Sequence, residues 1–291
     1  MPTLLLVALT AVWGSTFFLI RDLVATVPPT DFLAVRFTIA AVLMLVIFGR
    51  QVRALGRREW VIGLGLGLVY GLAQILQTVG LAHTDASVSG FITGTYVILT
   101  PLLSALLLRE PIPRVTWYAV LLATAGLAVL ALRGVSIGVG EALTLGCAFV
   151  YALHIIGLGR WSTPQHATGM SAVQMVSIAV VCVVAAAPGG ITWPAGTGQW
   201  AAVLYMATAA GVLALWAQTW AQARMSATRA AIVMTLEPVF AAGFAVALGG
   251  ESLTWRMVVG GVCVVGAMYL VELRGRRPDS PDPERLHHEV T

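Results

Sequence analysis

Apolar residues run along this chain in stretches close to the roughly 20 residues a helix needs to cross a bilayer's hydrocarbon. Ten such stretches are predicted as spans, at 4–21, 31–49, 60–82, 87–108, 116–132, 141–159, 169–187, 199–222, 230–249 and 255–272. The joints between them hold the charges and most of the prolines. Polar positions inside the spans recur at helical spacing, three and four apart, so each falls on one face. In span 3 Tyr70, Gln74 and Gln77 form such a stripe, while Gly63, Gly67 and Gly71 line a neighbouring face that admits close packing. Span 4 carries Ser89, Thr93, Tyr96, Thr100 and Ser104, and span 6 carries Thr144, Cys147, Tyr151 and His154. Trp13, Ser15 and Thr16 in span 1 and Trp216 and Gln218 in span 8 add to the set. Polar stripes are costly against lipid, so these faces point inward, either onto one another or onto a wet cavity.

Composition agrees. Of 291 residues 58% are hydrophobic and 10% charged, with mean hydropathy +0.88; a soluble domain carries about 25% charged residues. The predicted fold is an all-α polytopic membrane protein of ten transmembrane helices, with no room for a sizeable soluble domain. The first span reads as retained rather than cleaved, because Met1 to Thr3 carry no basic residue and no small-residue cleavage site follows. Cys147, Cys182 and Cys263 fall in three different spans, which indicates packing rather than a disulfide framework. The residues 274–291, rich in Pro, Asp and Glu, read as a disordered tail in which His287 and His288 are solvated.

Every basic residue is arginine. With ten spans, one side holds Arg50, Arg53, Arg57, Arg58, Arg109, Arg114, Arg160, Arg224, Arg229, Arg274, Arg276, Arg277 and Arg285, and the other Arg21, Arg133 and Arg256. That bias places both termini in the cytoplasm. The net charge of +4 therefore reports topology and contact with membrane lipid, not a nucleic-acid partner.

The two halves echo each other. "VWGSTFF" at 12–18 lies over "VYALHII" at 150–156, and "QTVGLAHTDAS" at 77–87 over "QTWAQARMSAT" at 218–228. Glu110 pairs with Glu251, and "TWYAV" at 116–120 with "TWRMV" at 254–258. Five spans per half make the second copy inverted, so 1–138 and 139–273 read as two inverted five-helix repeats, an architecture whose chief use is to expose a midplane site to either side in turn. Pro101 in span 4 and Pro238 in span 9 are predicted helix breaks in corresponding spans, one turn out of alignment. Such paired breaks mark a binding site or a kink that only serves packing.

Arg36, His154 and Glu237 lie inside spans, away from the charged residues at the span ends. Arg36, about five residues into span 2, is expected to snorkel to the surface or pair with Asp31 or Asp22. His154 lies mid-span, as a satisfied interior histidine or as a donor to a substrate carboxylate. Glu237 sits about half-way across span 9, where charge costs from about 3 kcal/mol upward. It is a candidate proton-linked carboxyl or ammonium partner.

Several strings carry a family resemblance: "AVWGSTF" in span 1, "FITGTYVILTPLLSALLLRE" in span 4, "TWYAVLLATAGLAVLAL" in span 5 and "MTLEPVFAAGFAVALGGESLTW" from span 9 into span 10. In order and spacing they resemble the EamA-type branch of the drug/metabolite transporter superfamily, over nearly the whole chain to about Leu273. The resemblance implies a basket-like bundle in the bacterial inner membrane, with a central cavity lined by spans 1, 3, 4, 6, 8 and 9. It also implies export of small metabolites, most like the aromatic amino-acid and viologen exporters. On that reading Trp13, Tyr70, Tyr96, Tyr151 and Trp216 hold an aromatic ring, and Gln74, Gln77, Thr93, His154 and Gln218 orient polar ends. The partners are a small-molecule substrate and lipid, and no cofactor or metal is implied. The alternatives are an intramembrane enzyme acting on lipid, for which no phosphate-binding loop or acidic metal cluster is found, and a non-transporting scaffold.

Overall fold

The computed structural model describes residues 1–84, 86–109, 111–131, 138–247 and 253–274. The regular elements among them are helical. Helices α1 (Pro2–Gly14) and α2 (Phe17–Val24) form span 1, α3 (Pro29–Arg53) span 2 and α4 (Arg57–Leu81) span 3. Span 4 consists of α5 (Ala86–Gly94) and α6 (Tyr96–Leu108), followed by α7 (Arg114–Ala131), α8 (Val139–Trp161) and α9 (Ala167–Ala186). In span 8 a π-helical turn, Thr208–Leu213, joins α10 (Gly196–Ala207) to α11 (Ala214–Gln222). Span 9 is α12 (Ala227–Met234) and α13 (Glu237–Ala247), and span 10 is α14 (Trp255–Arg274). Six of these segments are long and apolar enough to cross a membrane, and four shorter apolar helices, Pro2–Gly14, Ile92–Leu108, Arg114–Val129 and Trp255–Val271, accompany them. Glu110, Glu251 and the tail with His287 and His288 lie outside the described residues.

The helix ends follow from local chemistry. Pro29 opens α3, where its missing N–H costs nothing, and Arg50 and Arg53 sit in the last turn, against the negative end of the helix dipole. The Glu141 carboxylate accepts from Gly138 N at 2.8 Å and caps α8, and the Ser226 hydroxyl accepts from Arg229 N at the start of α12. Contacts between joints sort them into two ends. At the end bearing the N-terminus, His166 Nδ1 lies 4.0 Å from Glu59 Oε1. At the opposite end Thr84 donates to Glu141 at 2.5 Å, Thr192 N to Asp31 at 2.9 Å and Gln199 to Thr26 at 2.9 Å.

The glycine face of α4 is seated on α9. A Cβ on Gly67 would lie 2.4 Å from the Gln174 carbonyl oxygen and 2.6 Å from Ser177 Cβ, and Gly63 and Gly71 meet Val173 and Val181. Helix α3 also packs on α9, burying Phe32, Phe37, Met44, Met175 and Ile178, and α7 packs on α14. The outward faces are apolar: Val46, Leu106 and Val262 are largely exposed, as suits side chains facing lipid.

Three spans are broken by one device. Thr16, Thr95 and Thr235 each stand where a helix stops, and each donates both its N–H and its hydroxyl to the carbonyl three residues back. The acceptors are Trp13, Ile92 and Ile232, with hydroxyl distances of 2.8, 2.5 and 2.6 Å. The break in span 4 is therefore at Thr95 and not at the expected Pro101, which lies buried inside α6. Gly94 and Thr95 stop the helix there, because glycine is a weak helix former and the threonine hydroxyl offers the carbonyl an alternative partner. Pro238 does follow a break, as the second residue of α13, where no intrahelical donor is lost.

Substituting Gly67→Ala will drive α4 off α9 and lower stability by about 1–3 kcal/mol, whereas Gly65→Ala, with open space at its Cβ, will be neutral or better. Thermal unfolding of the two purified variants in detergent checks the difference; equal melting temperatures would refute the packing.

Candidate functional site

The broken spans border a cavity of about 720 Å3, counting its open mouth. Span 1 supplies Trp13, Thr16 and Ile20, span 3 supplies Tyr70, Gln74, Gln77, Thr78 and Leu81, and span 4 supplies Thr93 and Tyr96. Tyr151 and Ile155 come from α8, Gln218 from α11, Met234 and Glu237 from the two sides of the span 9 break, and Arg36 from α3. In spans 1 and 3 these positions run from the middle toward the end opposite the N-terminus, Arg36 stands near that end of span 2, and Ile155 and Gln218 mark the inner limit of the space. On the side of the N-terminal end Leu6, Leu9, Ala152, Ile155, Ala221, Ala230 and Ala231 belong to one buried apolar cluster, a plug that reaches the cavity through Ile155.

A chain of hydrogen bonds ties the polar wall together. Gln74 Nε2 donates to the Tyr70 hydroxyl at 3.3 Å and to the Tyr151 hydroxyl. Tyr151 in turn donates to Gln77 Oε1 at 3.1 Å, and Gln77 Nε2 to Thr93 at 3.4 Å. Each member of the chain lines the cavity, and together they join spans 3, 4 and 6. The Tyr70 and Tyr151 rings meet edge-on with centroids 5.5 Å apart. Gln218 donates to Gln222 at 3.1 Å, and its carbonyl oxygen is buried without a partner among the described residues.

Of the candidate residues, the structure gathers Trp13, Tyr70, Gln74, Gln77, Thr93, Tyr96, Tyr151, Gln218 and Glu237 around this space. His154 and Trp216 stand behind the wall. His154 is 0% exposed, bonds Gln174 Oε1 at 3.0 Å and meets the Tyr70 ring at 4.9 Å, so it braces that tyrosine from the rear. Trp216 turns to Thr168, donating at 3.2 Å. Ser89, Thr100 and Ser104 of the span 4 stripe are buried against other helices and do not reach the cavity. Pro101 is likewise away from it, while Pro238 adjoins Glu237. The Glu237 carboxyl has no hydrogen bond or ion pair among the described residues.

Arg36 departs from expectation. It neither snorkels nor pairs with Asp31. It is 4% exposed and turned inward, with Nε donating to Met206 O at 3.2 Å and Nη2 to Ala210 O at 3.4 Å. Its acceptors belong to span 8: Met206 just precedes the π turn and Ala210 lies within it, and Trp13 Nε1 also donates to Ala210 O, at 3.2 Å. Nothing in the local sequence around Arg36 signals a π turn in a distant span. Thr16, Thr78, Ile20, Leu81, Ile155 and Met234 also line the cavity outside the candidate set; Thr16 and Met234 are legible only as neighbours of breaks.

The EamA-like transporter family model matches the chain twice, at residues 1–132 and 138–273. An uncharacterized transporter of Archaeoglobus fulgidus is 31% identical over 272 residues, covering 93% of this chain and 85% of its own length. The uncharacterized transporter YcxC of Bacillus subtilis is 24% identical over 294 residues, 92% and 93% of the two chains. A crystal structure described only as that of a protein aligns with TM-score 0.76 at 19% identity, over 96% of this chain and 99% of that one, a likeness of fold.

In a cysteine-free background, a cysteine at Gln77 will react with a water-soluble maleimide supplied from the end opposite the N-terminus, and a cysteine at Ala152, buried in the plug, will not. Mass spectrometry of vesicles labelled from one side at a time checks both the wetness of the cavity and the side it faces.

Proposed function

The chain belongs to the EamA-like transporter family, and on that premise we propose that it is a secondary active exporter of small metabolites, of the kind represented by aromatic or hydrophobic amino acids and aromatic cations. The chain is a multi-pass membrane transporter; cargo, direction and mechanism are the proposal. The observation that carries it is the cavity itself: four aromatic side chains, three amides and an uncompensated carboxyl converge at mid-depth where three spans are broken. Such a wall suits a flat apolar body with polar ends. Trp13, Tyr70, Tyr96 and Tyr151 hold the ring, and Gln74, Gln77, Thr93 and Gln218 orient the polar groups. His154 and Trp216 act from behind, by positioning. Glu237 takes the cargo's ammonium or a proton in its place, which couples movement of the one to the other.

Transport proceeds by alternating access between inverted repeats spanning 1–138 and 139–273. Three features support this. The two family matches divide the chain at nearly the same point. Helices α5 and α12 start at Ala86 and Ala227, and α6 and α13 at Tyr96 and Glu237, so the broken spans keep one offset of 141 residues. Neighbours also exchange in pairs, α4 packing on α8 as α11 packs on α1, and α6 on α8 as α13 on α1. The arginine distribution favours cytoplasmic termini in a bacterial inner membrane, so the cavity faces outward in this conformation.

Uptake of labelled phenylalanine into proteoliposomes will be at least about tenfold slower in Gln74→Ala, which breaks the hydrogen-bond chain, and will lose its response to a proton gradient in Glu237→Gln. Wild-type rates in both variants would remove these residues from the mechanism.

A further inference from the structure

The cavity holds two opposite charges that do not pair with each other: the Glu237 carboxyl and the Arg36 guanidinium. We infer that Arg36 is a specificity-determining subsite for a carboxylate, so that the cargo proposed above is narrowed to molecules bearing one, and aromatic cations without a carboxylate are poor cargo. The inference rests on the reading of this cavity as a cargo site and goes beyond it, in naming the group that is recognised and the residue that does so.

The charge of Arg36 is the first observation. At 4% exposure in the interior of a membrane bundle, an arginine is costly unless an anion answers it. None does among the described residues. Asp31, five residues earlier on the same helix, is spent on Thr192 N at 2.9 Å and the Thr30 hydroxyl at 3.3 Å. The two bonds Arg36 makes are to neutral carbonyls, and the ring faces of Phe37 and Phe32 add cation–π attraction, but none of these supplies a counter-charge.

The second observation is the donor count. A guanidinium carries five N–H groups in a planar fork shaped for two carboxylate oxygens. Arg36 uses one on Nε and one on Nη2, and Nη1 makes no hydrogen bond among the described residues. A neutral amide could staple the π turn as well; a permanent cation with unspent donors is more than a staple requires.

The third is preorganisation. The two carbonyls fix the plane of the group, and the Phe37 and Phe32 rings flank it, with centroids 4.8 and 5.8 Å from its central carbon. Orientation is thus settled before cargo arrives, which lowers the entropic cost of a two-bond contact.

The test uses four probes on the full chain in nanodiscs, by titration calorimetry: 3-phenylpropionate, phenylalanine, 2-phenylethylamine and methyl viologen. The wild type is expected to bind the two carboxylates at least about tenfold more tightly than the two cations. Arg36→Gln should abolish that ratio by weakening the carboxylates alone, and Arg36→Lys, which keeps the charge and loses the fork, should retain part of it. Equal affinity for acids and cations in the wild type, no binding of either, or an equal loss for all four probes in Arg36→Gln would overturn the inference; the last is the result for a purely structural staple. Flux of the same labelled probes into proteoliposomes separates the two readings. An Arg36-dependent preference in binding with no flux would sink transport and leave the carboxylate subsite standing, whereas flux without that preference would do the reverse.

Discussion

A backbone carbonyl released inside hydrocarbon has no water to turn to, and this structure is organised around where its released carbonyls go. At the broken spans three threonines each give N–H and hydroxyl to one carbonyl, and an arginine and a tryptophan bond carbonyls at the π turn and just before it. Satisfying the backbone locally is what allows helices to stop and restart at mid-depth. The interruptions open the bundle enough for a chamber to exist. The same donors that close the backbone, Trp13, Thr16 and Arg36, stand in its wall. Scaffold and site are therefore built from one set of hydrogen bonds.

Around that chamber the packing is graded. The α4–α9 and α3–α9 contacts are close, with glycines and small residues on one side and large buried apolar side chains on the other. The plug toward the N-terminal end is made largely of alanines and medium aliphatics. Small residues bury little area each, so such a seal separates at less cost than a core of aromatics. On the alternating-access proposal, the tight contacts belong to parts that stay together and the plug to parts that come apart.

Much of this was legible in the chain. Charges and prolines mark span ends because neither sits well in lipid. Spans expected at 31–49, 60–82 and 141–159 are thus the helices Pro29–Arg53, Arg57–Leu81 and Val139–Trp161. The Tyr70, Gln74 and Gln77 spacing identified a cavity face because helical periodicity survives any tertiary arrangement. Polarity alone could not separate the cavity wall from what lies behind it: His154 and Trp216 face inward yet touch protein. Pro101 misled because a missing donor is tolerated in a helix, whereas Thr16 and Thr95, which do end helices, look like ordinary small polar residues in an apolar run. Arg36 lies only a few residues into its own helix, yet its surroundings are set by a turn some 170 residues away in the chain, which its local sequence does not signal.

That turn in span 8 has a geometric consequence of its own. A π turn holds a residue more than an α turn, and each residue of a helix advances the rotation by about 100°. The surplus sets the angular phase of everything after Leu213. Without it, Gln218 would swing about a quarter of the circumference away from the chamber, and Gln222 would lose its 2.9 Å bond to the Ile155 carbonyl. One supernumerary residue thus works as a clocking device, aligning the inner half of span 8 with helices it meets only after the chain has folded.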